Sequence, residues 1–404
     1  MRIAIVTEVF MPAVDGVVTR LQRTLEELQR AGDEVLVIAP RGGPDSYAGA
    51  PVIGVFDVPL LLYRDGVGYP PKRISLPGPL MRRTLDNFQP DVVHVINPVL
   101  LAAGAVVLAR NRHWPLVASY HAHLPAYAHL YHMGWAEPAG WKYLKALHNR
   151  AAVNLCTSRA VLSLLEERGF ERLGIWPYGV DTELFRPSRA DPRMRWRLSG
   201  GRPDRNVLLY VGRVAKEKTI EGLLEAVRNV ENVSLAVVGD GPERQRLERV
   251  FAGTPTTFLG FLDGVELASA YASADTFLLP SSTETLGFVT IEALACGLPV
   301  IAADSPTSRE LITDGVTGLR YRSDEPGSLA AAVATLEGDH ALRTRMGLAA
   351  HAAMSSASWS RATASLRGFY RAAQGYAADA DADATALQQA GAEFDYPVQQ
   401  RLSA

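Results

Sequence analysis

Residues Ser281 to Val300 read SSTETLGFVTIEALACGLPV, and a short apolar run, Thr276 to Leu279, precedes them and is closed by Pro280. The segment therefore predicts strand, turn, helix and next strand. The helix is expected to start near Gly287 and to be capped at Gly297, with Pro299 beyond it. Two carboxylates flank that start: Glu284 in the turn, and Glu292 one to two turns inside. A helix N-terminus carries unpaired N–H groups and a partial positive charge, so the Leu286-Gly287-Phe288 start can hold a phosphate, and Gly287 permits close approach. Glu292 then suits a ribose hydroxyl pair, which outlines a nucleotide-sugar site. The competing reading is a single Glu placed well against a helix dipole.

At 404 residues the chain suits two domains of similar size, and 48% apolar content supports full globularity. A net charge of -2 gives no global push toward nucleic acid or an anionic membrane. Cys156 and Cys296 lack metal-ligand neighbours and are expected to be small buried hydrophobes. MRIAIVTEVF reads as a first strand and not a signal peptide, and no run reaches transmembrane length, so a cytoplasmic protein is the default, one able to rest on a membrane surface.

Strands are expected at Ile3–Val6, Glu34–Ala39, Asp91–Ile96, Pro115–Ser119, Ala151–Thr157, Asn206–Gly212, Val233–Val238 and Thr276–Leu279, because these are continuous apolar runs without alternation. Helical patterns lie between them, so two Rossmann-like α/β domains facing across a cleft follow. Residues 1–187 form the expected acceptor-side domain, 188–355 the nucleotide-sugar domain, 356–376 a crossover helix, and 377–404 a flexible tail with Ala-Asp repeats. Phe185 to Pro203 reads as the link. Arg41 to Pro79 reads as a long Gly- and Pro-rich loop, with the hydrophobic stretch Pro59 to Tyr63 and the basic pairs Lys72-Arg73 and, later, Arg82-Arg83; it is either a lipid-touching excursion or an ordinary surface loop over a buried Leu cluster. The aromatic, basic segment Tyr127 to Arg150 is either core or the lining of an acceptor site.

Further candidate groups sit where strands end. Gly16 at the first loop-to-helix junction is a turn glycine or one that faces a phosphate. Seven of the nine histidines lie between His94 and His148. A metal site at His121 and His123 is disfavoured, since i, i+2 residues on an extended segment point to opposite sides. His121, just past a strand's carboxyl end, is placed for a ligand. Arg213 and Lys218, after the Asn206–Gly212 strand, suit a diphosphate whose charge grows as a sugar leaves. Gly239 opens the tight turn Gly239-Asp240-Gly241-Pro242.

The Glu284-to-Glu292 spacing with EALACGLPVIA resembles the retaining glycosyltransferases of family 4. Ser119-Tyr120-His121, Gly179-Val180-Asp181, GRVAKEK from Gly212 and GDGP from Gly239 are similar to that family's text, so the resemblance covers nearly the whole chain before the tail. It implies the GT-B architecture, retention of anomeric configuration, no protein nucleophile, no metal and no cofactor, the nucleotide-sugar being a substrate. In this reading Arg213 and Lys218 neutralise the leaving diphosphate, with Gly16 and Gly239 bordering the donor. Glu292 holds the ribose, Glu284 a sugar hydroxyl, and His121 the transferred sugar. LASYHAHLP and IWPYGVDTELF are similar to a lipid-glycosylating subgroup acting on diacylglycerol or its glycosides, which implies a UDP- or GDP-linked hexose donor and a hydroxyl acceptor, a lipid at the inner face of a membrane or a soluble sugar. The text departs from the family at Asp304 to Glu310, where a glycine pair is replaced and Pro306 offers no N–H. An epimerase of the same architecture and a non-catalytic sugar-binding protein are the alternatives; a nicotinamide oxidoreductase is disfavoured because the first strand leads into EVFMPAVDG without a G-x-G-x-x-G.

Overall fold

Arg2–Thr7 and Asn206–Val211 are the strands around which two parallel sheets grow, each in its own unit. The computed structural model describes residues 1–13, 15–59, 73–121, 134–282 and 286–378. One unit takes the chain up to Gly179 together with the terminal helix from Trp359, and the other is Val180–Ser358. Glu284, the Leu60 to Lys72 stretch, Tyr127 to His132 and the Ala-Asp tail lie outside the described residues.

The first sheet runs, edge to edge, Leu173–Ile175, Val153–Cys156, Leu116–Ser119, Val92–Ile96, Arg2–Thr7, Glu34–Pro40, Ala50–Val55 and Ser46–Tyr47, with only the last strand antiparallel to its neighbour. Its central strands are apolar throughout because helices cover both faces, and the period of two divides them. Ile3, Ile5, Val92 and Ile96 pack with Leu21, Leu25 and Leu28 of the Gly16–Arg30 helix. Ala4, Val6, Val93 and Val95 pack instead with Met81, Leu85, Leu101 and Val106.

The second sheet runs Thr256–Gly260, Val233–Val238, Asn206–Val211, Thr276–Leu279, Val300–Ala303 and Gly318–Tyr321, all parallel. In both sheets the chain builds outward from a first strand and then returns to its other side. The reversal falls between Arg2–Thr7 and Val92–Ile96 in one, and between Asn206–Val211 and Thr276–Leu279 in the other. Open α/β sheets bind ligands beyond the carboxyl ends of strands at such a reversal.

Two segments fold further than their sequence suggests. Within Arg41 to Pro79, Ser46–Tyr47 pairs with Ala50–Val55 around Gly49 (φ +76°), and Asp57–Pro59 pairs with Arg73–Ser75. The strands are short and broken by Gly and Pro, which hides their period. The apparent link at Phe185 to Pro203 contains the helix Pro192–Leu198: the Asp191 carboxylate accepts the Arg193 N–H at 3.0 Å, Pro192 takes the first position, and Met194 and Leu198 are buried.

The terminal helix, Trp359–Ala378, puts Leu366, Phe369, Tyr370 and Ala373 into the core beneath the first sheet. Phe369→Ala is expected to destabilise the first unit by about 3–5 kcal/mol in denaturant unfolding. A loss below about 1 kcal/mol would mean that this helix is peripheral to the core.

Candidate active site

In the second unit the carboxyl ends of Asn206–Val211 and Val233–Val238, beside the reversal point, are joined by backbone alone. Gly239 has φ +123°, and a Cβ there would sit 1.9 Å from the Gly212 carbonyl oxygen; one on Gly241 would sit 2.3 Å from that of Val214. Hydrogen bonds close the contact: Gly212 N–H donates to Val238 O at 3.0 Å, Val214 N–H to Asp240 O at 2.9 Å, and Gly239 N–H to Gly260 O at 2.7 Å. Three successive strand ends are thereby tied together, and Arg213 projects from the tie. Its carbonyl accepts from the Tyr210 hydroxyl at 3.0 Å, and its guanidinium lies 3.5 Å from the Glu217 carboxylate with a third of the side chain exposed. An ion pair of that length and exposure is by itself worth little.

Lys218 ends a single turn, Lys216–Lys218, and Thr219 follows in the left-handed region at φ +49°. From there the Thr219 hydroxyl donates to Pro280 O at 2.9 Å, and the Ser281 hydroxyl donates back to Glu217 O at 3.3 Å. These two bonds hold the Arg213–Lys218 loop against the turn that leads into the Phe288–Ala295 helix. Gly287 is that helix's N-cap, left-handed at φ +75°, and brings no side chain over the first turn. Leu286 is buried beside it. The helix is apolar nearly all round, with Ile291, Ala293, Leu294 and Ala295 buried. Glu292 is its partly buried exception and accepts the Tyr271 hydroxyl at 2.9 Å. Burial and the Glu292 charge hold that phenol well above its ordinary pKa, and they raise the Cys296 thiol as well.

The Asp304 to Glu310 loop is organised differently. Ser305 and Ser308 form a reciprocal capping box at the start of the Pro306–Leu311 helix, and Arg309 grips the Asp304 carboxylate through bonds of 2.9 and 2.6 Å, which lowers its pKa. The Ser308 amide is thus already engaged by the loop itself.

The first unit holds a buried polar cluster on the paired strands Val92–Ile96 and Leu116–Ser119. His121 N–H donates to Asn97 Oδ1 at 2.7 Å, its Nε2 is 2.9 Å from Ser119 Oγ, and its ring meets Trp176 edge-on at 5.2 Å. The Arg20 guanidinium lies 4.7 Å over the same indole and donates to the Trp176 carbonyl at 3.1 Å. Burial, with Arg20 nearby, keeps His121 neutral far below the ordinary imidazole range; His94 is pushed down to about 3 and His148 to about 4. Glu8, at the end of the first strand, accepts the N–H groups of Val99, Leu100 and Ala102 and so caps the Leu101–Arg112 helix. Gly16 opens its helix beside a cavity of about 550 Å³ lined by Met11, Ala13, Val18 and Gly43. The N–H groups of Val17 and Val18 are held there by Asp15 at 2.9 Å each, so an anion approaching Gly16 meets a carboxylate.

Residues 14–184 match the family described as Glycosyltransferase Family 4, and residues 195–352 match Glycosyl transferases group 1. A GDP-mannose-dependent alpha-mannosyltransferase of Mycolicibacterium smegmatis is 37% identical over 93% of this chain and 98% of its own. The chain belongs to glycosyltransferase family 4. The sulfoquinovosyl transferase SQD2 of Arabidopsis thaliana is 34% identical over 88% of this glycosyltransferase and 70% of its own length. An alpha-monoglucosyldiacylglycerol synthase of Acholeplasma laidlawii is 27% identical over 80% and 86%. Among solved structures, sucrose-phosphate synthase from Thermosynechococcus elongatus superposes with a TM-score of 0.77 at 22% identity, covering 94% of this chain and all of its own, and the fold is GT-B.

The glycosyltransferase thus groups Arg213, Lys218, Gly239, Leu286, Gly287, Phe288 and Glu292 in the second unit, while Gly16 and His121 belong to the first. Among the described residues no group of three or more His, Cys, Asp or Glu is arranged to hold a metal ion. Of the aromatic segment, Trp141 is buried and stacks on Tyr120, whereas Trp135 is 84% exposed. Sequence reasoning passed over Arg20, His94 and Tyr370. Arg20 carried a signal, since it shares the stripe of Leu21, Thr24, Leu25 and Leu28 on an amphipathic helix and is 1% exposed.

The three depressed histidines set an acid limit to stability. Each is neutral when folded and gains a proton on unfolding below about pH 6.5, so the unfolded state binds more protons and stability falls as pH drops from there toward the folded values. Denaturant titrations at stepped pH should lose up to about 4 kcal/mol per pH unit below pH 6. Constant stability between about pH 7 and 5 would contradict the burial of these imidazoles in the neutral form.

Proposed function

We propose that this glycosyltransferase moves a hexosyl group, with retention of configuration, from a UDP- or GDP-linked sugar to a hydroxyl of a diacylglycerol-type lipid at a membrane surface. The reading rests on one observation above others: the bonds from Thr219 and Ser281 that hold the Arg213–Lys218 loop against the turn before Gly287. Both cations and the start of the Phe288–Ala295 helix then follow neighbouring strands of one sheet, an arrangement that suits a leaving diphosphate. Arg213 and Lys218 neutralise the charge that grows on the β-phosphate, while the backbone around Leu286, Gly287 and Phe288 donates to its oxygens. Gly239 lets backbone approach the donor, Glu292 holds the ribose hydroxyls with Tyr271 fixing its carboxylate, and Glu284 takes a sugar hydroxyl. His121 touches the sugar near the reacting carbon. No group here is asked to act as a nucleophile: the leaving group is already activated, and the protein positions it and stabilises charge.

Two observations favour a lipid acceptor. One relative is named as an alpha-monoglucosyldiacylglycerol synthase. On the first unit Phe56, Leu76 and Leu80 are exposed, and Leu76 N–H donates to Phe56 O at 3.2 Å; Arg82 and Arg83 follow on the next helix turn. Apolar side chains with adjacent cations suit the headgroup boundary of an anionic bilayer. Among the described residues no helix is long and apolar enough to cross a membrane.

A screen of UDP-, GDP- and ADP-sugars for binding and slow hydrolysis, followed by transfer to diacylglycerol-containing vesicles, tests the reading. A glycolipid of retained configuration is expected; transfer to soluble sugars alone, or epimer formation without acceptor, would refute it. Arg213→Ala and Lys218→Ala should each cut turnover by about 10²-fold or more with unchanged melting behaviour, and activity within about threefold of wild type would remove them from the site.

A further inference from the structure

We infer that Tyr370, His94 and Ser119 form a directional hydrogen-bond relay that determines which ring nitrogen of His121 carries the proton. Tyr370 Oη lies 2.8 Å from His94 Nδ1, His94 Nε2 lies 3.0 Å from Ser119 Oγ, and Ser119 Oγ lies 2.9 Å from His121 Nε2. The direction follows from the far end. Tyr370 is fully buried, its phenol is held protonated by that burial, and His94 Nδ1 is the one acceptor its hydroxyl has among the described residues. A buried hydroxyl without an acceptor costs its full desolvation, so Tyr370 donates to Nδ1. Neutral imidazole carries a single N–H, which places His94's proton on Nε2 and directs it to Ser119 Oγ. Serine also has one proton to give, and it goes to His121 Nε2. His121 is neutral as well, so its proton sits on Nδ1.

The terminal helix thereby fixes the chemistry of a histidine 249 positions earlier in the chain. His121 becomes a neutral donor through Nδ1–H and not a base, and Arg20 over the shared Trp176 ring opposes any further protonation. Tyr370, His94 and Ser119 are positioning residues; their effect on transfer rests on the sugar contact proposed for His121, whereas the tautomer does not.

The test uses the full chain with ¹⁵N-labelled histidine and long-range ¹H–¹⁵N NMR, which separates protonated from bare ring nitrogens. Wild type should show His121 protonated on Nδ1 and His94 on Nε2. Tyr370→Phe should give mixed tautomers at both rings and lower kcat by about tenfold, with donor KM within about twofold. Ser119→Ala should leave the His94 tautomer intact and release that of His121, which keeps the question decidable if Tyr370→Phe folds poorly. Leu366→Ala, buried on the same helix but outside the relay, should lower the melting temperature and leave both tautomers as they are. His121 protonated on Nε2 in wild type, or unchanged tautomers in both relay variants, would overturn the inference. The expected tautomers together with unchanged turnover in Tyr370→Phe would uphold the relay and refute the sugar contact of His121.

Discussion

At the carboxyl end of the second sheet, backbone passes backbone more closely than any side chain allows. The Gly212 carbonyl occupies the space a Cβ on Gly239 would need, and the Val214 carbonyl does the same for Gly241. Hydrogen bonds from Gly212, Val214 and Gly239 hold the contact, so the ends of three neighbouring strands are tied together. The two cations proposed for the donor diphosphate hang from it. Arg213 leaves the sheet at this point, Lys218 follows one turn later, and Thr219 reaches across to the turn ahead of Gly287. A charged ligand site needs its donors fixed before the ligand arrives, because reorientation during reaction is what preorganised dipoles avoid. Glycine at these positions is therefore a geometric requirement of the charge arrangement.

The first unit meets a different physical problem, that of polar groups sealed inside an apolar layer. Buried polar atoms must find partners, and the cheapest solution for a buried imidazole is to stay neutral and bond to its neighbours. His94 and His121 do this through Ser119 and Tyr370, with Arg20 against Trp176 as the fixed charge. Such a cluster contributes little net stability, yet it leaves few alternative packings, because breaking one bond orphans the next group. Its position at the carboxyl ends of Val92–Ile96 and Leu116–Ser119 gives the rigidity a functional setting.

How much of this was readable from the sequence depended on range. Ile3–Val6, Val233–Val238 and Thr276–Leu279 announced themselves as buried parallel strands, since doubly covered strands do not alternate. The helix at Phe288 was marked by Gly287 and Gly297, both with φ +75°. The hairpins around Gly49 and the Pro192–Leu198 helix were missed because two- to seven-residue elements carry too few apolar positions to show a period. Arg213, Lys218 and His121 stood out through chain position and family likeness, but nothing local revealed that Thr219 bonds to Pro280, 61 residues on, or that His94 meets Tyr370 across 276. Contacts of that separation belong to the topology and leave no trace in spacing.

The most direct measurement is a crystal structure of the full chain soaked with a nucleoside diphosphate. The account predicts the β-phosphate within about 2.7–3.2 Å of the Arg213 and Lys218 side-chain nitrogens and of a backbone N–H at Gly287 or Phe288. A diphosphate bound elsewhere, with Arg213 still paired to Glu217 and Lys218 turned away, would contradict it.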